Sequence, residues 1–96
     1  MIEVTYTIAE NALIASGVYR LKLEGDTSAI TAPGQFLDLR LPGFFLRRPI
    51  SICDWDEKSV TLLYKVVGSG TDWLSHCTPG QALDALSGLG NGFDIA

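Results

Sequence analysis

At 96 residues the chain is long enough for one domain and too short for two. A formal charge of −4, with 47% hydrophobic and 19% charged residues, excludes a disordered tail and argues against a surface that coats nucleic acid. No apolar run approaches the roughly 20 residues of a membrane span.

The start, Met1-Ile2-Glu3-Val4, lacks the basic flank and apolar stretch of a signal peptide. Ile2, Val4, Tyr6 and Ile8 then alternate with Glu3, Thr5 and Thr7, the period of a strand with one wet face. Val18 to Leu23 repeats the pattern, with Tyr19, Leu21 and Leu23 on one side and Arg20 and Lys22 on the other. A turn-rich stretch follows, carrying Gly25-Asp26 and Ala32-Pro33-Gly34. Leu37, Leu39 and Leu41 form a third strand, stopped by Pro42-Gly43. Pro49 precedes Ile50-Ser51-Ile52-Cys53, which predicts a strand that begins or bulges at the proline. Asp54, Asp56 and Glu57 read as a hairpin turn rather than a hydrolytic carboxylate pair. Ser59 to Val67 is a fifth strand, with Val60, Leu62, Tyr64 and Val66 on one face and Thr61, Leu63, Lys65 and Val67 on the other. One helix is predicted, capped by Thr71, running through Asp72-Trp73-Leu74-Ser75-His76 and ended by Pro79-Gly80. Gln81 to Leu86 is a weaker sixth strand, and Ser87 to Phe93 is a glycine-rich loop. Six short strands separated by turn signals predict an all-β fold, a six-stranded antiparallel Greek-key barrel with one short helix. Closure hides the edges that an open sheet would expose.

Two segments could carry chemistry. Leu46-Arg47-Arg48-Pro49-Ile50-Ser51 puts two arginines at the mouth of an apolar strand, where guanidinium groups stay charged and grip phosphate bidentately. Ser51 lies deeper along the strand and offers a hydroxyl and an N–H. This pattern suits an elongated ligand with an anionic end and a polar ring system; two solvated arginines flanking a buried strand are the alternative. Val67-Gly68-Ser69-Gly70-Thr71 precedes the helix, and small residues there let N–H groups approach an anion. It reads equally as an ordinary strand-to-helix turn, since no dinucleotide fingerprint follows. Tyr64-Lys65-Val66 leads into it, and Tyr64 suits either an aromatic ligand or the barrel core.

Metal and nucleophile chemistry find little support. The one histidine, His76, adjoins Cys77, while Cys53 lies far off in sequence, so the spacing of a zinc site is missing. His76 is expected at a partly exposed helix end, and both cysteines in the core. Two cysteines are too few for a disulfide framework, so a reducing cytoplasm is the expected setting.

Taken in order, Pro33-Gly34-Gln35-Phe36-Leu37, Leu46-Arg47-Arg48-Pro49-Ile50-Ser51-Ile52, Gly68-Ser69-Gly70-Thr71 with Leu74-Ser75, and Gly88-Leu89-Gly90-Asn91-Gly92-Phe93 resemble the flavin-binding barrel of the ferredoxin–NADP reductase superfamily. Within it the chain is most similar to the electron-transfer subunits of NAD-linked dihydroorotate dehydrogenases. The resemblance implies FAD as cofactor. Arg48 would hold its pyrophosphate, Pro49 and Ile50 would lie beside the flavin, and Ser51 would hydrogen-bond the redox edge of the ring. Tyr64, Lys65 and Val66 would form a second contacting strand, and Gly70-Thr71 a phosphate-binding turn. It implies a catalytic dihydroorotate dehydrogenase subunit as partner and NAD in the full assembly, serving pyrimidine biosynthesis. The family usually reads Gly-Pro-Leu-Gly-Asn-Gly-Phe where Gly88 here directly precedes Leu89. It also continues into a nucleotide-binding domain and a cysteine-rich [2Fe–2S] segment, expected only in a full-length member. The chain therefore reads as the flavin domain of such a subunit, as a fragment, or as a truncated homologue. Surface left bare by missing domains would favour a homo-oligomer. A flavin domain of another reductase-like subunit, or a cofactor-free interaction barrel, are the alternatives.

Overall fold

The alternating segments form six strands in chain order: β1 (Ile2–Ala15), β2 (Val18–Glu24), β3 (Phe36–Leu39), β4 (Arg48–Trp55), β5 (Ser59–Lys65) and β6 (Ala82–Leu89). One helix, α1 (Ser69–Ser75), lies between the last two. The computed structural model describes residues 2–32, 34–41 and 48–89. Arg47, Leu46, Pro33, Pro42-Gly43 and Gly90-Asn91-Gly92-Phe93, all invoked from sequence, lie outside these described residues. The pairings are antiparallel, and the order β1-β2-β5-β4-β3-β6 closes a barrel. This is the Greek-key barrel that the alternation predicts.

Period-2 patterning fills the interior. Tyr6 and Ile8 of β1, Leu21 and Leu23 of β2, Leu37 and Leu39 of β3, Val60 and Leu62 of β5 and Ala85 of β6 are at most 1% exposed. Each large apolar side chain removed from water in this way contributes about 1.5–3 kcal/mol. Leu74 of α1, fully buried, joins the same core and seats the helix on the barrel.

Several expectations need correction. The first strand does not end at Ile8. It continues to Ala15 because residues beyond Ile8 pair with β2 through a hairpin whose turn residue, Gly17, takes φ 69°. Ile2 is 39% exposed instead of buried, as it sits at the end of the barrel. Thr71 does not cap α1. The cap is Gly68, and Thr71 sits in the first turn with its Oγ1 accepting the Gly68 N–H at 3.2 Å. Cys53 is exposed, because alternation along β4 turns Ile50 and Ile52 inward and Cys53 outward; only Cys77 is buried, and burial pushes its thiol up. The irregularity in β4 falls between Ile52 and Asp54 rather than at Pro49, which is the second residue of the strand. Asp54 belongs to β4, and Asp56 forms the turn. Ser87, Gly88 and Leu89 extend β6 instead of opening a loop.

Candidate functional site

The barrel wall parts at one seam. Strand β4 pairs with β3 from Leu39↔Arg48 to Phe36↔Ser51, but with β5 only from Trp55↔Val60 to Ile52↔Leu62. Beyond that point Leu63, Tyr64 and Lys65 pair with β2 alone. Two local features account for the parting. The bulge between Ile52 and Asp54 bends β4 at that place, and Pro49 has no N–H to offer a ladder.

The seam is a groove of about 310 Å³ lined by Arg48, Pro49, Ile50, Ser51, Leu63, Tyr64, Lys65, Val67 and Thr71. That volume lies at the low end of small-molecule sites, which span about 300–1,000 Å³. Arg48, Pro49 and Ser51 are exposed on the β4 side and Lys65 on the β5 side, while Ile50 is buried beneath them. Among the described residues the one ion pair joins Arg20 to Glu10, so no carboxylate there neutralises Arg48 or Lys65. Two cations on opposing walls with no ion-pair partner among the described residues, in a chain of net charge −4, make the seam a local site for an anion. Ser51, exposed in the same lining, has a hydroxyl that offers both a donor and an acceptor.

The sequence-predicted residues fare differently in detail. Arg48, Pro49, Ile50, Ser51, Tyr64, Lys65 and Thr71 converge on the groove; Val66 and Gly70 are not among its lining. Val66 packs against the core, and its N–H donates to the Gly17 carbonyl at 2.9 Å. Gly70 is held by packing, since a Cβ there would stand 3.0 Å from Leu41 Cδ1. Tyr64 is 5% exposed, stacks on Tyr19 with ring centroids 5.5 Å apart, and donates its hydroxyl to Asn11 Oδ1 at 2.8 Å. Burial pushes its phenol up, and the Asn11 bond only partly offsets this. A ring engaged on both counts leaves the main chain of Tyr64 as what it presents to the groove.

Thr71 is similarly committed. Its Oγ1 accepts the Val67 N–H at 2.9 Å and the Gly68 N–H at 3.2 Å, and donates to the Gly68 carbonyl at 3.2 Å. The hydroxyl thus ties the strand-to-helix turn together and is not available as a phosphate donor. His76 is exposed at the end of α1, as its position predicts, with Nδ1 2.8 Å from the Asp72 carbonyl oxygen. Among the described residues no group of three or more His, Cys, Asp or Glu gathers.

Two lining residues escaped the sequence reading as site residues. Leu63 and Val67 are 42% and 63% exposed. They give the groove an apolar flank that suits the face of a ring. The signal was present for Leu63, which occupies the outward face of β5, where alternation calls for a polar residue; Val67 lies past the end of β5.

No family model matches the chain. It is 40% identical over 99 aligned residues to the dihydroorotate dehydrogenase B (NAD(+)) electron transfer subunit of Listeria innocua, a match covering 99% of this chain and 39% of that protein. The chain thus spans about two fifths of the length of the curated relatives it matches. Among solved structures, the Amycolatopsis cytochrome P450 reductase GcoB superposes with a TM-score of 0.83 at 27% identity, covering 94% of this chain and 29% of that one. An NADH-dependent reduced ferredoxin–NADP oxidoreductase superposes at 0.82 and 29% identity, covering 93% and 34%.

Proposed function

We propose that this chain, similar along its length to dihydroorotate dehydrogenase B electron transfer subunits and to a ferredoxin–NADP oxidoreductase, is a flavin-binding barrel domain of the ferredoxin–NADP reductase superfamily that binds FAD in the β4–β5 seam and serves in electron transfer. The observation that carries this reading is the seam itself, with Arg48 and Ser51 on the β4 wall, Lys65 on the β5 wall, and an apolar flank. FAD supplies the redox chemistry, which the protein positions and tunes.

Each residue has a task its chemistry permits. Arg48 holds the pyrophosphate through bidentate, charge-assisted hydrogen bonds. Ser51 hydrogen-bonds the redox edge of the ring system. Pro49 and Ile50 lie along the ring, and Leu63 and Val67 exclude water from its other side. Tyr64, Lys65 and Val66 supply main-chain contacts along β5 and just past its end. Gly70 and Thr71 contribute at the helix turn through main-chain N–H groups, the Thr71 hydroxyl being occupied. The complete assembly relays electrons from a dihydroorotate-oxidising partner subunit to NAD. A [2Fe–2S] cluster needs four cysteine-type ligands, and this chain has two cysteines, so no cluster is assigned to it. A second reading, a flavin barrel serving a different redox partner, draws on the 27% identity to the P450 reductase.

Titrating FAD with the chain while following flavin fluorescence tests the cofactor. Saturable quenching, lost when pyrophosphate-free riboflavin replaces FAD, is the expected result. Fluorescence that never departs from free FAD would sink the proposal. Addition of a dihydroorotate-oxidising subunit or a P450 to the loaded chain, with complex formation as the readout, separates the two partners.

A further inference from the structure

Asn11 joins two of the elements that border the groove, β5 and α1, yet is not among its lining. Its Nδ2 donates to the carbonyl oxygens of Leu74 at 2.9 Å and Cys77 at 3.0 Å, the last turn of α1 and the residue pair just after it. Its Oδ1 accepts the Tyr64 hydroxyl at 2.8 Å. An amide alone among short side chains offers two donors and an acceptor in one plane, and here all three functions are used.

The chain places this residue by a deliberate irregularity. Strict alternation from Val4, Tyr6 and Ile8 would turn residue 11 outward. The register of β1 against β2 shifts between Ile8↔Leu23 and Glu10↔Lys22, so that Asn11 faces Leu21. Leu21 and Leu23 are both fully buried, so the bulge carries Asn11 to the inner face with them. A one-residue slip exchanges the faces of a strand, and bulges re-aim side chains in this way.

We propose that Asn11 is a positioning residue that fixes α1 and β5 relative to one another and so holds the β5 and helix side of the groove in place opposite β4. This rests on reading the groove as the FAD site. Through Tyr64 it acts on the strand carrying Leu63 and Lys65, and through the helix end on the element that carries Thr71. Thr71 Oγ1 also links the helix to the end of β5, accepting the Val67 N–H at 2.9 Å, but it does so at the start of α1, whereas Asn11 holds the end of the helix.

The test compares three variants of the chain. Asn11→Asp loses both donations and sets a carboxylate against two carbonyl oxygens. Tyr64→Phe removes only the strand-side bond and keeps the ring, and it carries the test alone if Asn11→Asp does not fold. Tyr6→Phe is the control for lost stability, since it deletes a hydroxyl bond of 2.9 Å to the Asp26 carbonyl, remote from the groove. Amide hydrogen exchange and FAD affinity are read at a temperature where circular dichroism shows every variant folded. We expect exchange about tenfold faster at Leu63–Lys65 and at Asp72–Cys77, whose N–H groups are hydrogen-bonded along α1, in Asn11→Asp, with FAD bound about tenfold more weakly. Tyr64→Phe should show the faster exchange at Leu63–Lys65 only, and Tyr6→Phe neither change. Exchange at both segments matching the Tyr6→Phe control would overturn the proposal. If the parent chain binds no FAD, the flavin reading fails by itself, and the exchange pattern still decides whether Asn11 fixes β5 and α1 relative to one another.

Discussion

The two halves of β5 have the same alternation and opposite surroundings. Val60 and Leu62 have neighbours on both sides, β2 and β4, and are fully buried. Leu63 to Lys65 keep β2 on one side but face the groove on the other, with Leu63 at 42% exposure. One strand thus serves the core where it is doubly paired and borders the groove where its neighbour withdraws. The withdrawal is produced by a bulge and a proline on β4, not by any change in β5 itself. The core and the groove are thereby separated within about 10 Å of chain, at roughly 3.3 Å per residue.

The separation can be broken hardest at its closed end. Leu62→Ala empties a fully enclosed position and should cost about 2–5 kcal/mol of unfolding free energy. Urea denaturation measures it. FAD affinity of the fraction that stays folded should not change, and a parallel loss of affinity would show that the two halves are not independent.

At the seam the pattern should invert. Arg48→Ala is expected to weaken FAD binding by about 1.5–3 kcal/mol, the scale of a charge-assisted hydrogen bond. Its urea midpoint should match that of the parent, as no described carboxylate pairs with Arg48. Equal FAD affinities in fluorescence titration would remove Arg48 from the site.

Thr71 sits where the two regimes meet, and it sharpens the comparison. Thr71→Val keeps the shape and deletes an oxygen that accepts the Val67 and Gly68 N–H groups. A loss of about 1–2 kcal/mol in stability is expected, as for a helix-start hydrogen bond. Because the same turn borders the groove, FAD affinity should fall with it. Loss of stability with FAD affinity intact would assign Thr71 wholly to the fold.

The sequence was legible where a single face is buried. Leu21, Leu23, Leu37, Leu39, Val60 and Leu62 were placed in the core by period 2 alone, and the structure buries them. Arg48 and Ser51 were singled out by charge and order, and the groove contains both. What escaped depends on register. The extension of β1 and the inward turn of Asn11 follow from a bulge at one residue, and single-residue slips leave no mark on composition. The capping role given to Thr71 failed for a related reason, since the same hydroxyl can serve the turn from the cap or from the first turn, and only the backbone tells them apart. Tyr64 was ambiguous between ring and core until Tyr19 and Asn11 were seen to engage it.

The smallest expected effect is acid sensitivity confined to the closed end. Asp56 Oδ1 accepts the N–H groups of Lys58 and Ser59, each at 2.8 Å, and the Ser59 hydroxyl at 3.1 Å. These hydrogen bonds hold its carboxyl below the usual aspartate range, and Ser28 does the same for Asp26. A carboxyl whose folded pKa is depressed stabilises the fold above its ordinary value, near about 3.9. That stabilisation is lost as pH falls through the lower folded value. Neutral and mildly acidic solutions should therefore leave stability untouched by these groups, with the loss beginning below about pH 4. Both carboxylates are exposed at turns, where solvent screening keeps the effect slight. FAD affinity should fall only as far as unfolding requires. Urea midpoints of the parent and Asp56→Asn at neutral pH and near pH 3 check the sign. The parent should be the more stable at neutral pH, with the gap narrowing in acid as Asp56 becomes protonated. A gap of the same size at both pH values would mean that the turn is held by its hydrogen-bond geometry, with no contribution from the charge of Asp56.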